Sequence, residues 1–217
     1  MLIMLIGGRI IPSFTRNWLA RQPAGRMPVP FNRFDVVAML SGGAALVSWC
    51  AMPEHALTIA LTAGAAILHA VRLTRWAGDR SLAEPLVFIL HIAYAFVPIG
   101  FVLVTLAACV PDALAAGDAI HAWTTGSIGL MTLAVMTRAS LGHAGRALTA
   151  KPTIQAIYVF AVIAALTRLI AAFQIETTTM INVSAASWVL AFGGFVIVYW
   201  PMLTRARAMS TDSSCQQ

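Results

Sequence analysis

Residues 85–110 decide the fold, and their sequence is PLVFILHIAYAFVPIGFVLVTLAACV. The run contains no Asp, Glu, Lys or Arg, and it is longer than the roughly 20 apolar residues that a helix needs to cross a bilayer. Only helices and closed barrels satisfy their backbone hydrogen bonds in lipid. A barrel strand would alternate polar and apolar residues. This run does not alternate, so we predict a transmembrane helix.

Five further stretches are similar in length and composition. Together with the first run they predict spans at 34–52, 55–73, 85–110, 119–137, 153–173 and 181–204. The opening MLIMLI is too short to span and is interpreted as the end of a preceding helix. The predicted fold is an all-α polytopic bundle with six spans. It has a basic cytoplasmic N-terminal segment (1–33), a transmembrane domain (34–204) and a cytoplasmic tail (205–217).

The composition excludes an ordinary soluble domain. Hydrophobic residues make up 59% of the 217 residues and charged residues 10%, whereas soluble domains carry about 25% charged residues. The net charge of +6 is explained by the excess of Lys and Arg in cytoplasmic loops of membrane proteins. We therefore expect the lipid bilayer as a partner and no nucleic acid.

The basic residues alternate between successive loops. Lys and Arg number 5 before the first span, then 0, 3, 0, 3, 0 and finally 2 in the tail. Cytoplasmic loops are enriched in these residues. The pattern predicts that both termini are cytoplasmic. This count assigns Arg72 to the loop after the second span and leaves over only Arg168.

His91 is the first candidate for chemistry. It lies in the third span, about 9 Å from the predicted cytoplasmic end, with Tyr94 one turn later and Pro98 beyond it. An ionisable residue beside a helix irregularity in lipid is a functional-site hypothesis. The alternative is a neutral histidine that is hydrogen-bonded to a neighbouring helix.

His121 opens the fourth span on the outer side. Asp118 precedes it by one turn and is predicted to cap the helix or to orient the imidazole of a ligand. Gly126 and Gly129 continue the same stretch, and we expect them to allow close helix packing.

The remaining candidates have less specific surroundings. His69 either meets His91 or lies at the membrane interface, and His55 is expected on the surface of a hairpin. His143 lies in a predicted basic loop between Arg138 and Arg146. Such a loop binds an anion through its arginines or is an ordinary cytoplasmic loop.

Several longer motifs resemble the NnrS family of membrane proteins. They are TRASLGHAGR at 137–146, HAWTTGSIGLMTL at 121–133, PLVFILHIAY at 85–94, RLTRW at 72–76 and GGRIIPSFTRN at 7–17. They cover most of the chain in the order found in the family. Members are typically about twice as long, and the chain resembles their C-terminal half.

The resemblance implies a bacterial inner-membrane protein that contains haem and copper and is linked to nitric oxide, nitrosative stress and denitrification. It leaves the reaction open. It implies that the missing N-terminal half or a second copy is a partner. The predicted metal ligands are His91 and His121, and the further cofactor-binding residues are Tyr94, Arg138, His143, Arg146 and Arg168.

The depths of the two histidines predict two separate sites. His121 lies about 4 Å inside the outer face, so its depth differs from that of His91 by about 17 Å in a hydrocarbon core of about 30 Å. Two axial ligands of one haem iron cannot be that far apart. Arg168 is expected either to extend outward to the interface or to pair with Asp118 or a haem propionate.

Two other functions remain open at this point. In a transporter or channel, Pro98 and Gly100 would mark a broken helix beside a site near the middle of the membrane. A membrane scaffold without a cofactor is the third reading of the sequence.

Overall fold

The computed structural model describes residues 1–204, which form helices and no strand. The predicted tail, 205–217, lies outside these residues. The helices are α1 (Leu2–Leu19), α2 (Arg33–Ala51), α3 (Ala56–Thr74), a 3₁₀ turn (Gly78–Ser81), α4 (Pro85–Cys109), α5 (Ala116–Ala119), a π-helix (Ala122–Gly129), α6 (Leu130–His143), α7 (Pro152–Ala172) and α8 (Thr177–Thr204).

Six candidate membrane spans confirm the predicted bundle. They are α2, α3, α4, the continuous stretch Ala116–His143, α7 and α8, each long and apolar enough to cross a bilayer. The protein is therefore a multi-pass all-α membrane protein. Its connections are short, so consecutive spans pack as antiparallel neighbours.

α4 lies at the centre of the bundle. It contacts α1, α3, the π-helix and α6, while α7 and α8 form an antiparallel pair beside them. Since α4 is covered on most sides, its sequence is apolar all round rather than amphipathic. The same lack of polar positions made this segment the most evident span in the sequence.

α1 extends further than the sequence predicted. The opening MLIMLI is helical, and the helix continues through Gly7 and Gly8 to Leu19. Its buried side includes Met4 and Ile11 and packs mainly on α4. Residues 2–19 of the predicted N-terminal segment are thus part of the helical bundle.

The fourth span differs in detail from its prediction. It begins at Ala116 rather than at residue 119, and its middle is a π-helix. The prediction that Asp118 caps the helix is wrong, because Asp118 lies inside α5 and Ala115 occupies the cap position. The segment from Arg138 to His143 is the end of α6 rather than a loop.

Small residues allow aromatic side chains to approach the helix backbones. A β-carbon at Gly126 would overlap the ring of Phe96, and one at Gly129 would come within 2.6 Å of Trp188. This confirms the predicted close packing. Trp123 fills the space at Gly100, and α4 continues without a break through Pro98. The broken helix expected of a transporter is therefore not formed.

The ends of the spans define two faces of the bundle. The basic face carries the connections 20–32, 75–84 and 144–151, which contain most of the arginines outside the helices. The opposite face carries the connections 52–55, 110–115 and 173–176. The loop charges predict that the basic face is cytoplasmic.

Cysteine labelling tests this orientation. In a chain whose three native cysteines are serine, we compare Leu82→Cys on the basic face with Asp112→Cys on the opposite face, both exposed positions. A membrane-impermeant maleimide added to spheroplasts is expected to label residue 112 at once and residue 82 only after lysis. The reverse order of labelling would contradict the orientation.

Candidate functional site

A buried arginine joins four helices near the basic face. Arg72, in the last turn of α3, is completely buried. Its Nε donates to Asp35 Oδ1 of α2 at 2.8 Å. Its Nη1 donates to the Met4 carbonyl of α1 at 2.8 Å and to the Tyr94 hydroxyl of α4 at 3.0 Å. One guanidinium therefore ties α1, α2 and α4 to α3.

Local sequence explains how Asp35 and Arg72 meet. Asp35 is the third residue of α2, and its Oδ2 accepts from the Asn32 backbone N–H at 3.1 Å, so the carboxylate is held by a capping box. Arg72 lies near the end of α3, and its Cα–Cβ bond tilts towards the helix N-terminus. The guanidinium is therefore directed into the bundle. Gly8 leaves the space that it occupies, because a β-carbon there would overlap it.

The hydrogen bonds of Arg72 continue through Tyr94 to His69. The Tyr94 hydroxyl lies 2.8 Å from His69 Nδ1, and it accepts from Arg72, so its own hydrogen is free to donate to the imidazole. His69 Nε2 is buried and has no hydrogen-bond partner among residues 1–204. A β-carbon at Gly42 would lie 2.7 Å from this nitrogen. His69 is thus a core residue rather than an interfacial one.

His91 contacts α1 instead of Tyr94. Thr15 Oγ1 donates its only hydrogen to the Ile11 carbonyl at 2.8 Å, and it lies 2.8 Å from His91 Nε2. With that hydrogen on Ile11 the hydroxyl accepts from Nε2–H, so this arrangement favours the tautomer with its lone pair on Nδ1. That Nδ1 is buried and unpaired within the described chain.

Gly78 packs against the face of the His91 ring. A β-carbon there would lie 2.6 Å from Nδ1 and within 3.0 Å of Cγ and Cε1, so only glycine allows this contact. The imidazole also lines a groove of about 470 Å³ that includes Arg26 and Asp79. Nδ1 itself is buried, so the groove reaches the ring but not this nitrogen.

His121 is bound by Arg168 on the opposite side of the molecule. Arg168 Nη2 lies 2.6 Å from His121 Nε2, and an arginine can only donate, so the imidazole lone pair faces the guanidinium. Asp118 Oδ1 is 3.7 Å from the same Nη2. Arg168 therefore faces the bundle and pairs with Asp118, as one of the two sequence-based alternatives predicted.

The other predicted cofactor-binding residues lie apart from these histidines. The Arg138 guanidinium is 4.2 Å above the ring of Phe14 on α1. His143 is exposed at the end of α6, and Arg146 lines a groove with Lys151 between α6, α7 and α8. Within the described chain, Tyr94 contacts His69 rather than His91. The sequence alone placed it with His91, on the basis of spacing along one helix.

A separate cavity lies near the opposite face. It has a volume of about 300 Å³ and is lined by aromatic residues that include Trp49, Phe101 and Trp123. The Ser127 hydroxyl of the π-helix also lines it and is buried without a partner in the described residues. The ring of Phe101 stacks on His69 at 5.8 Å between centroids, so the cavity adjoins the histidine network.

The comparison with protein families now adds to this geometry. The profile of the family described as NnrS protein matches residues 1–207. The chain belongs to the NnrS family. No curated protein and no solved structure matches the chain. The NnrS resemblance noted from the motifs is therefore confirmed over almost the whole sequence.

The donor atoms decide which groups this NnrS chain can bind. Among residues 1–204, no three His, Cys, Asp or Glu side chains are close enough to hold a metal ion together. Two buried imidazole nitrogens have no hydrogen-bond partner there, His69 Nε2 and His91 Nδ1. Of these, His91 Nδ1 carries the lone pair, as a ligand requires. The described residues therefore fit the provision of single imidazole ligands rather than a complete metal centre.

Sequence reasoning missed three parts of this arrangement. Arg72 was counted as a loop residue by its charge, Asp35 was not singled out, and Thr15 belonged to a segment interpreted as cytoplasmic. One signal was present, because Asn32 followed by Asp35 has the spacing of a capping box and marks an acid held at a helix start. No signal in one sequence revealed that α1 would reach His91.

Gly8 tests whether the guanidinium of Arg72 is held rigidly. Gly8→Ala places a methyl group where that guanidinium lies, and overpacking of this kind costs about 1–3 kcal/mol. The matched control is Gly64→Ala in α3, where a β-carbon meets nothing within 4 Å. We expect Gly8→Ala to lower the thermal midpoint in detergent and Gly64→Ala to leave it unchanged or raise it. Equal changes in the thermal midpoint for the two substitutions would show that the Arg72 side chain moves aside at little cost.

Proposed function

We propose that the protein binds haem or copper in the bacterial inner membrane, with both termini cytoplasmic, and acts in nitric oxide metabolism, nitrosative stress or denitrification. The match to the NnrS family supports the link to nitric oxide. Six candidate spans support the location in a membrane. The histidines are the residues through which this chain would contribute to the cofactors.

One observation supports the proposal most strongly. His91 Nδ1 is buried and unpaired in the described part of the chain, and it is free of hydrogen in the tautomer that the Thr15–Ile11 hydrogen bond favours. Neutral imidazole is a ligand for haem iron and for copper. In metal sites the second ring nitrogen of such a ligand is usually held by a hydrogen bond that fixes the tautomer. Thr15 supplies that bond.

The environment of His91 is consistent with this role. Arg26 lines the adjoining groove and pairs with Asp79; it would exchange this partner for a carboxylate of a bound group. The ring of Trp76 lies 6.5 Å from the imidazole and covers one side of it. A cofactor bound there would be held by one imidazole from this chain.

His121 belongs to a second site under the same proposal. Its contact with Arg168 lies on α7 near the opposite face, whereas His91 contacts α1 near the basic face. To bind a metal, His121 Nε2 would exchange the guanidinium for the metal ion. The released Arg168 would then pair with a carboxylate of the cofactor.

The remaining ligands would come from outside the described residues. Because each site receives a single imidazole here, we propose that the other half of the family's longer chains or a second copy completes both sites. Arg138, His143 and Arg146 lie near the basic face, apart from His91, and in this proposal they would bind anionic groups there. Tyr94 would act on His69 and the Arg72 network rather than as a direct ligand.

Cofactor analysis of single variants tests the proposal. We compare His91→Ala and His121→Ala in membranes that contain the complete protein, with haem measured by absorption and copper by mass spectrometry. Because the two histidines lie in different surroundings, each variant is expected to lose a different cofactor or a different fraction of one. His55→Asn is the control, since His55 only caps α3 through Nδ1.

The outcomes separate the proposal from its alternatives. Complete loss of the same single cofactor in both variants, with the other cofactor retained, would contradict two separate sites. Full retention of haem and copper in both variants would contradict ligation by either histidine. A cofactor loss in His55→Asn would indicate a general effect of histidine substitution on folding.

A further inference from the structure

One face of α1 carries two arginines and a serine that point away from the bundle. Arg9, Ser13 and Arg16 recur at i, i+4 and i+7, the spacing that places residues on one side of a helix. All three are exposed. We call them the α1 stripe.

Arg9 lies near the basic face, at the level where α2 begins and α3 ends. Its neighbour Gly8 packs on the guanidinium of Arg72, which pairs with Asp35 in the first turn of α2. Among residues 1–204, the Arg9 side chain forms no hydrogen bond, ion pair or aromatic contact. An unpaired guanidinium at the edge of a membrane is available to an anionic group.

A groove beside the stripe provides the route for such an anion. Its volume is about 610 Å³, and it lies between α1, α2 and the segment 29–31. Arg16 Nη2 donates to the Pro28 carbonyl at 3.0 Å and so fixes this segment as one wall. Arg16 and Phe31 line the groove near the basic face, whereas Leu5 and Met39 line its deeper part.

We propose that this groove binds an anionic phospholipid. The phosphate would accept from the Arg9 and Arg16 guanidinium groups and from the Ser13 hydroxyl, in charge-assisted hydrogen bonds. An acyl chain would lie against Leu5 and Met39. Basic pockets between membrane helices on the cytoplasmic side bind anionic head groups in this way.

The shape of the groove favours a lipid over a second helix. Its cationic groups lie along one line, and its apolar residues follow at the deep end, which matches a phosphate joined to an acyl chain. The proposal is independent of haem and copper, because no histidine lines this groove.

Lipid titration of the purified full chain tests the proposal. Phosphatidylglycerol is added to the protein in neutral detergent, and binding is measured by native mass spectrometry and by the thermal midpoint. Phosphatidylcholine and inorganic phosphate are the comparison ligands. We expect phosphatidylglycerol to bind and to raise the midpoint, with little effect of the other two.

The variants are Arg9→Gln, Arg9→Lys and the control Arg21→Gln, which removes an exposed arginine outside the groove. Each interfacial arginine contributes about 1 kcal/mol to the binding of anionic lipid, so Arg9→Gln is expected to weaken phosphatidylglycerol binding about fivefold. Arg9→Lys should retain part of the affinity, and Arg21→Gln all of it.

Three results would overturn the proposal. Equal binding of phosphatidylglycerol by the wild type and Arg9→Gln would show that the lipid acts elsewhere. Equal stabilisation by phosphatidylcholine would show that binding does not depend on the net negative charge of the lipid. A dimer of the wild type that Arg9→Gln dissociates and that lipid does not displace would assign the groove to a helix of a second copy.

Discussion

The structure depends on one buried cation that no helix could accommodate alone. Arg72 has no exposed surface, and burial of an ion costs several kcal/mol unless it is paired and hydrogen-bonded. Asp35 supplies the opposite charge, while a carbonyl of α1 and a hydroxyl of α4 satisfy further N–H groups. Each of these partners lies on a different helix. The cost of burying Arg72 is therefore offset only when α1, α2, α3 and α4 are together.

The contacts of Arg72 also fix the positions of His69 and His91. Tyr94 is held by Arg72 and in turn contacts His69. The bond to the Met4 carbonyl holds α1 against α3, and the same helix carries Thr15 to His91. The tautomer of His91 thus depends on where α1 lies. The hydrogen bond between Arg72 and the Met4 carbonyl therefore influences which nitrogen of His91 carries the lone pair. The proposed cofactor binding depends on that nitrogen.

The helices were predictable from the sequence, and their mutual contacts were not. A span such as α4 needs only an uninterrupted apolar run, so composition fixed its location within one or two residues. The π-helix and the full length of α1 arise from tertiary packing, which local composition does not encode. For Arg168 the sequence left two alternatives. Only the position of α7 beside α5 shows that this arginine pairs with Asp118. His91 and His121 were found as candidates, but the hydrogen bonds that separate their roles come from other helices.

A double-mutant cycle measures how strongly Arg72 and Asp35 are coupled. The free energy of unfolding is measured in mixed detergent for the wild type, Arg72→Met, Asp35→Leu and the double variant. Loss of one partner from a buried pair costs about 3–5 kcal/mol, whereas replacement of both by apolar residues is often close to neutral. We expect the double variant to be more stable than either single variant, because neither charge is then buried without its partner. Additive destabilisation, with the double variant least stable, would contradict the coupling of the two buried charges.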